Sequence, residues 1–173
     1  PTDASALRTA FATGRALGKP TIRGKDSASF VVNRLLGAAM GEFSRTVDEG
    51  APVAPADLAV AGPAPIPPFV LLGLVGPAIA LHNSETLHRA FGDRFHVSPS
   101  LRRLVESGKR GYYLMEGGRP VPDPEVLAMA EQPENPVELS AEQARERILG
   151  VLATEVGLML SEGVVAAPMD IDL

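Results

Sequence analysis

An all-α fold is predicted for this chain of 173 residues. Three observations carry the expectation. Apolar residues recur at helical spacing along most of the chain, alternating runs of β-branched residues are nearly missing, and the helical stretches end in capping residues and glycines. With 45% apolar residues and a formal charge of −5, the chain can bury a genuine core in one or two small domains.

The elements follow in order. Asp3 to Leu17 places Leu7, Ala10, Phe11, Gly14 and Leu17 on one helical face, with Gly18 as a C-terminal cap. "KPTIRGKD" is short and reads as an extended segment or a lone edge strand. Asp26 or Ser27 is then expected to cap a helix over Phe30 to Val47, whose apolar face holds Val32, Leu35, Leu36, Ala39, Met40, Phe43 and Val47 and which Gly50 ends. A loop rich in Pro and Ala surrounds the short "PADLAVA". Phe69 to about Arg89 reads as one helix whose first half is apolar all round, and so central. "SPSLRRLVESG" carries a full set of boundary signals: Ser98 as cap, Pro99 at the first helical position, Gly108 at the end. Glu116 to Pro136 holds five prolines and is expected to link two units along the surface. Ser140 with Gln143 forms a capping box before a helix of about 20 residues that Gly163 ends.

Composition narrows the functions. Sixteen Lys and Arg against 21 Asp and Glu, with 5% aromatics, leave little material for phosphate neutralisation or base stacking, so no nucleic-acid partner is expected. Cysteine is absent, which removes disulfides, thiolate metal sites and a thiol nucleophile and accords with a cytoplasmic location. The longest uncharged run, Ile66 to Leu81, is broken by Pro67, Pro68 and Pro77 and falls short of the roughly 20 residues of a membrane helix. No export signal opens the chain. His82, Glu85 and His88 could share part of a helical face, but without a recognised ligand spacing they read as surface groups, and no metal is expected. His96 stands alone in a loop.

The chain contains an internal repeat. At an offset of 113 positions, Arg34 to Leu58 aligns without gaps on Arg147 to Ile171, with nine of 25 positions identical. These are Arg34/Arg147, Leu36/Leu149, Gly37/Gly150, Glu42/Glu155, Glu49/Glu162, Gly50/Gly163, Ala54/Ala167, Pro55/Pro168 and Asp57/Asp170. The shared residues read as scaffold: Gly50 and Gly163 stop the helix, and Pro55 and Asp57 with their counterparts start the next short one. Asn33 is different. Its counterpart is Glu146, so the helical unit does not require an amide there. It either bonds a nearby loop or contacts a ligand, and the pattern alone leaves both readings open. The repeat ends at "PMDIDL" where an apolar helix would follow, so the second unit is expected to be incomplete, and the helix from Ala141 to Glu162 to need a covering surface from the first unit or another molecule.

The segments "KDSASFVVNRLL", "GEFSRTVDEG", "PADL", "PIPPFVLLGLVG" and "GKRGYYLM" together resemble the C-terminal helical region of 3-hydroxyacyl-CoA dehydrogenases, most of all that of the multifunctional fatty-acid β-oxidation subunits, where the helical domain occurs twice. The resemblance implies tandem helical units of the 6-phosphogluconate dehydrogenase C-terminal-like kind. Residues 1–24 would be the tail of a nucleotide-binding domain, 25–115 the first helical domain, 116–139 a linker and 140–173 the start of the second copy. It further implies a substrate-binding and dimerisation part of an NAD-dependent enzyme oxidising 3-hydroxyacyl-CoA to 3-oxoacyl-CoA, inactive alone, with acyl-CoA as ligand. Partners would be a second copy or the paired helical unit.

The resemblance places Asn33, in "VNR", beside the reacting 3-oxygen of the substrate, and favours a structural ion pair for Arg34. An amide suits the first role, since it donates to a carbonyl or alkoxide-like oxygen without neutralising a nearby base. NAD and the His-Glu dyad belong to the nucleotide-binding domain. No G-x-G-x-x-G follows a strand in this chain, so the fragment is expected to hold neither catalytic residue nor cofactor. Two stretches depart from the family: Ser27, Ala28 and Ser29 replace Thr-Pro-Gly, and Ile66, Pro67, Pro68 and Phe69 followed by Leu71, Leu72 and Gly73 replace Met-Gly-Pro-Phe and Leu-Leu-Asp. These exchanges alter the φ angles available at two turns and suggest the alternative, a non-catalytic helical interaction module derived from the family.

Overall fold

In the computed structural model, the structure describes residues 2–53, 57, 66–130 and 132–172. The described helices are α1 (Ala4–Ala16), α2 (Val32–Asp48), α3 (Pro68–Val75), α4 (Pro77–Phe91), α5 (Pro99–Glu106), α6 (Pro124–Met129) and α7 (Ala141–Ser161), with one hairpin of β1 (Tyr113–Glu116) and β2 (Arg119–Pro122). The chain is thus mostly helical, as its periodicity predicts. The short helix expected in "PADLAVA" lies, apart from Asp57, outside the described residues.

Several boundaries follow the capping chemistry. Ser98 accepts from Leu101 N at 3.0 Å with Pro99 behind it, and Ser140 and Gln143 close a reciprocal box at the start of α7. Gly50 and Gly163 both take positive φ (86° and 66°) after their helices.

Elsewhere the structure corrects the sequence. The helix expected over Phe69 to Arg89 is two, because Gly76 takes φ 102° and Pro77 starts a new helix at its first position. Neither Asp26 nor Ser27 caps α2. That helix begins two residues later than expected, from Val31 without a side-chain cap, and Ser27 Oγ instead accepts from Arg34 Nη1 at 3.2 Å. Val32 and Leu36, expected on the buried face, are 67% and 45% exposed. They look away from the core.

The stretch read as a surface linker carries structure too. Gly117 and Gly118 take φ 56° and 81°, the backbone of a tight hairpin turn, and pair Tyr113 with Pro122 and Glu116 with Arg119. Both strands of a two-stranded ribbon are edges, so Pro120 and Pro122 are tolerated. Asp123 then caps α6 through Glu125 N at 3.0 Å and puts Val126 into the core, 2% exposed.

The core is built on α2. Phe43 and Val47 pack with Phe69, Leu72, Leu81, Leu101, Leu104, Tyr112, Val126 and Ile148. Phe69 meets Phe43 and Tyr112 edge-on, with ring centroids 6.0 and 4.8 Å apart. Full burial of one such ring is worth roughly 1.5–3 kcal/mol.

Helix α7 lies along α2 and buries Ala144, Ile148, Glu155 and Met159. The charges of the repeat are exchanged between the units. Arg34 donates to Glu155 through Nε and to Glu162 through Nη2 at 2.7 Å, while Arg147 donates to Glu42 at 2.7 Å and to Glu49 at 2.6 Å. Each helix therefore offers an early Arg to two Glu residues that its partner carries about two and four turns further on. An Arg near a helix start and a Glu near its end oppose their own helix dipole, so pairing across the interface accounts for this placement better than single-helix stability does. Pairing within the chain gives the inner face of α7 its covering surface, and the structural ion pair expected of Arg34 is present. By contrast, α1 buries none of its residues, and its apolar face stays open.

Candidate functional site

The exposed Leu36 lines a cleft of about 350 Å³ between α2, α3 and α4. Its wall is largely apolar, with Leu36, Met40, Leu71, Leu72, Val75 and Ile79. Polar side chains enter it as Ser29, Asn33, His82, Asn83, Ser84 and Thr86, and no charged carboxylate, Lys or Arg lines it among the described residues.

Three features shape the cleft. The break at Gly76–Pro77 folds α4 back from α3, so that Leu72 and Val75 of one face Ile79 and Ala80 of the other. Gly37 lets α4 approach α2, since a Cβ there would lie 2.3 Å from Leu87 Cδ1 and 2.9 Å from Asn83 Nδ2. The turn before α2 runs through two consecutive left-handed residues, Ser29 (φ 60°) and Phe30 (φ 52°). For residues with a Cβ that backbone costs about 1–2 kcal/mol each. This is where the departure from Thr-Pro-Gly is felt. The other departure is accommodated simply: Pro67, where the family has glycine, is the N-cap of α3 with φ −58°, a backbone that proline adopts without strain, and the shared Pro68 takes the first helical position.

Asn33 lines the cleft from the first turn of α2. Its side chain is exposed, and no hydrogen bond engages its amide among the described residues; only its main-chain oxygen is bonded, accepting from Asn83 Nδ2 at 3.2 Å. Asn83 in turn accepts from Ser29 Oγ at 2.7 Å. Asn83 was not legible as a site residue, because it belongs to no spaced motif and its contacts span 50 and 54 residues, and Ser29 was visible only as a departure from Thr-Pro-Gly. The Gly37 that admits α4 was visible only as a shared position of the repeat.

The histidines and their neighbour separate. His82 lines the cleft, Glu85 pairs with Arg102 at 2.9 Å, and His88 Nδ1 lies 3.0 Å from Phe95 O. His96 pairs with Asp48 at 2.7 Å.

Behind α3, Asp57 is 8% exposed and accepts from Phe69 N at 2.9 Å and from the Tyr113 hydroxyl. Burial pushes its carboxyl above the ordinary range and outweighs the two hydrogen bonds that pull it down. Burial also raises the Tyr113 phenol, helped by the bond to Asp57. Asp57 thus ties the start of α3 to the hairpin, whereas its counterpart Asp170 accepts from Ala166 N and Ala167 N of its own turn. The bonds of Asp170 are the helix-starting role expected of it; the short helix expected to start at Pro55 and Asp57 lies, apart from Asp57, outside the described residues.

The sequence profile of the family described as "3-hydroxyacyl-CoA dehydrogenase, C-terminal domain" matches residues 30–118. That range holds α2 to β1 and every residue of the cleft but Ser29. The chain belongs to this family. Among curated relatives, a "fatty acid oxidation complex subunit alpha" of Aliivibrio fischeri is 32% identical over 176 aligned residues, covering 96% of this chain and 25% of that protein. A "peroxisomal fatty acid beta-oxidation multifunctional protein" of Arabidopsis thaliana is 33% identical over 125 residues, covering 63% of the chain and 17% of the relative. The alpha subunit of Shewanella amazonensis is 29% identical across 99% of the chain and 26% of its own length. The chain therefore spans about a quarter or less of these relatives. Among the described residues no helix is long and apolar enough to cross a membrane.

Proposed function

We propose that this chain is the substrate-binding helical part of an NAD-dependent 3-hydroxyacyl-CoA dehydrogenase of fatty-acid β-oxidation, and that it is not catalytic alone. The observation that carries the reading is the free Asn33 amide at the edge of a largely apolar cleft. Family membership and relatives named for fatty acid oxidation support it. The acyl chain lies along Leu36, Met40, Leu72 and Ile79, where burial of each methylene contributes about 0.8 kcal/mol. The Asn33 amide donates to the 3-oxygen of the thioester substrate and, held on a helix, pays little reorganisation as charge grows there.

NAD accepts the hydride of this reaction, and the residues here do not fit it. The sequence has no glycine-rich turn between strand and helix, and the sheet described is a two-stranded hairpin. The cofactor and the proton-accepting dyad are assigned to a nucleotide-binding domain, to which residues 1–24 with the uncovered face of α1 belong. We assign dimerisation to the same helical part, and the cytoplasm as compartment, although plant relatives are named peroxisomal.

The test is the product of the whole gene. Given NAD and a 3-hydroxyacyl-CoA, it is expected to form NADH and 3-oxoacyl-CoA, and sedimentation is expected to show a dimer. Neither NADH formation nor acyl-CoA binding would leave the interaction-module alternative standing.

A further inference from the structure

Of the two left-handed residues before α2, Ser29 lines the cleft, and nothing in the sequence of either favours that backbone. Ser and Phe carry a Cβ, and Phe30 is 64% exposed, so its packing holds the turn weakly. Phe30 N donates to Ser27 O at 3.1 Å and Arg34 holds Ser27 Oγ, but the hold on Ser29 itself comes from the opposite helix. Asn83 Oδ1 accepts from Ser29 Oγ at 2.7 Å, and Asn83 Nδ2 donates to Asn33 O at 3.2 Å. One amide, on α4, therefore grips the turn that leads into α2 and the carbonyl of the residue whose side chain faces the cleft. It reaches both because Gly37 lets the helices approach so closely that a Cβ there would sit 2.9 Å from Asn83 Nδ2. Asn83 is half-buried; its bond with Ser29 is partly buried, while its bond to Asn33 O lies at the exposed edge of the cleft.

We propose that Asn83 is a positioning residue for Asn33: by bonding Ser29 Oγ and Asn33 O together it fixes the left-handed turn, and so the place from which the Asn33 amide reaches its acceptor. The proposal rests on the reading of Asn33 as a substrate contact. The mechanical half, that Asn83 holds the turn, stands on the hydrogen bonds alone. It has a particular consequence. A glycine adopts φ near +60° without a steric penalty, so a chain with glycine in place of Ser29 needs the clamp far less.

The experiment is a double-mutant cycle of Asn83→Ala and Ser29→Gly in the full-length protein. Asn83→Ala removes both bonds without adding bulk. In the parent background it is expected to lower kcat by about 10- to 100-fold with KM within about threefold, as for a misplaced rather than a missing reacting group. In the Ser29→Gly background the same replacement is expected to cost at most about threefold in kcat. Hydrogen exchange of the Leu35, Leu36 and Gly37 amides gives an arm free of activity: Asn83→Ala is expected to speed it about tenfold in the parent and little in the glycine background.

Equal losses of kcat in both backgrounds, or no loss in either, overturn the proposal, as does a loss carried by KM. If the full-length protein turns over no 3-hydroxyacyl-CoA while the exchange cycle shows the coupling, the functional reading fails and the clamp stands. If it turns over substrate and the exchange cycle shows no coupling, the clamp fails and the functional reading stands.

Discussion

Gly37 and Gly150 occupy one position in the two units, yet only the first has a neighbour to accommodate. A Cβ at Gly37 would press on Leu87 and Asn83, whereas one at Gly150 meets nothing within 4 Å. Gly37→Ala is expected to force α4 from α2, to cost about 1–3 kcal/mol and to distort the cleft. Gly150→Ala is expected to stabilise by roughly 0.5–1 kcal/mol through helix propensity alone. Urea unfolding of the two variants checks the contrast, and destabilisation by both would show that Gly150 is packed against something. The same scale explains why Asn33 could be singled out from sequence and Asn83 could not. Asn33 differs from its repeat counterpart Glu146, so a comparison inside the chain separates it from the scaffold. Asn83 acquires meaning only once α4 folds back onto α2 and brings it to Ser29.

Helices α2 and α7 show the other half of what a repeat can and cannot disclose. The recurrence of Arg, Glu and Glu at one spacing is visible in the letters; that each Arg serves the other copy's carboxylates is a property of the packed pair. The two ends are unequal. Arg34 is fully buried, stacks 4.2 Å over Phe91 and shares Glu155 and Glu162 with Arg94, while Arg147 is 29% exposed. Glu155→Leu strips a buried Arg of one partner and is expected to cost about 3 kcal/mol or more. Glu42→Leu leaves a cation that water can reach and is expected to cost clearly less, as thermal or urea melts would show; equal costs would argue against the burial asymmetry. Helix boundaries divide along the same line. Ser98, Ser140 and the glycines after α2 and α7 act locally and were legible. The break at Gly76 is local too, a positive-φ glycine followed by a proline that starts the next helix, whereas at the start of α2 the expected cap Ser27 is drawn to the Arg34 side chain.

Across the whole molecule, ionised carboxylates hold separate elements together, and acid should loosen it in a defined sense. Burial raises Glu162, but its bonds to Arg34 and Arg94 win and leave it below the ordinary range. Burial likewise raises Asp48, and the bonds from His96 and Ser100 bring it below. A carboxylate lowered on folding binds fewer protons folded than unfolded, so its stabilisation is complete above its unfolded value and is lost as pH falls through the folded one. Asp57, raised by burial, acts oppositely and offsets part of that loss. The urea midpoint is therefore expected to decline below about pH 4.5, and Glu162→Gln to flatten the decline; a midpoint that rises on acidification would contradict the assignment. Beyond stability, the account turns on a single group, the amide that only the first of two matching units carries. The direct measurement is turnover and melting of Asn33→Ala in the full-length protein with NAD and a 3-hydroxyacyl-CoA. Loss of a preorganised donor predicts a fall in kcat/KM of about 100-fold or more, with stability within about 0.5 kcal/mol of the parent because the side chain is exposed and unbonded. Activity that is unchanged, or that falls only as far as the protein unfolds, would contradict it.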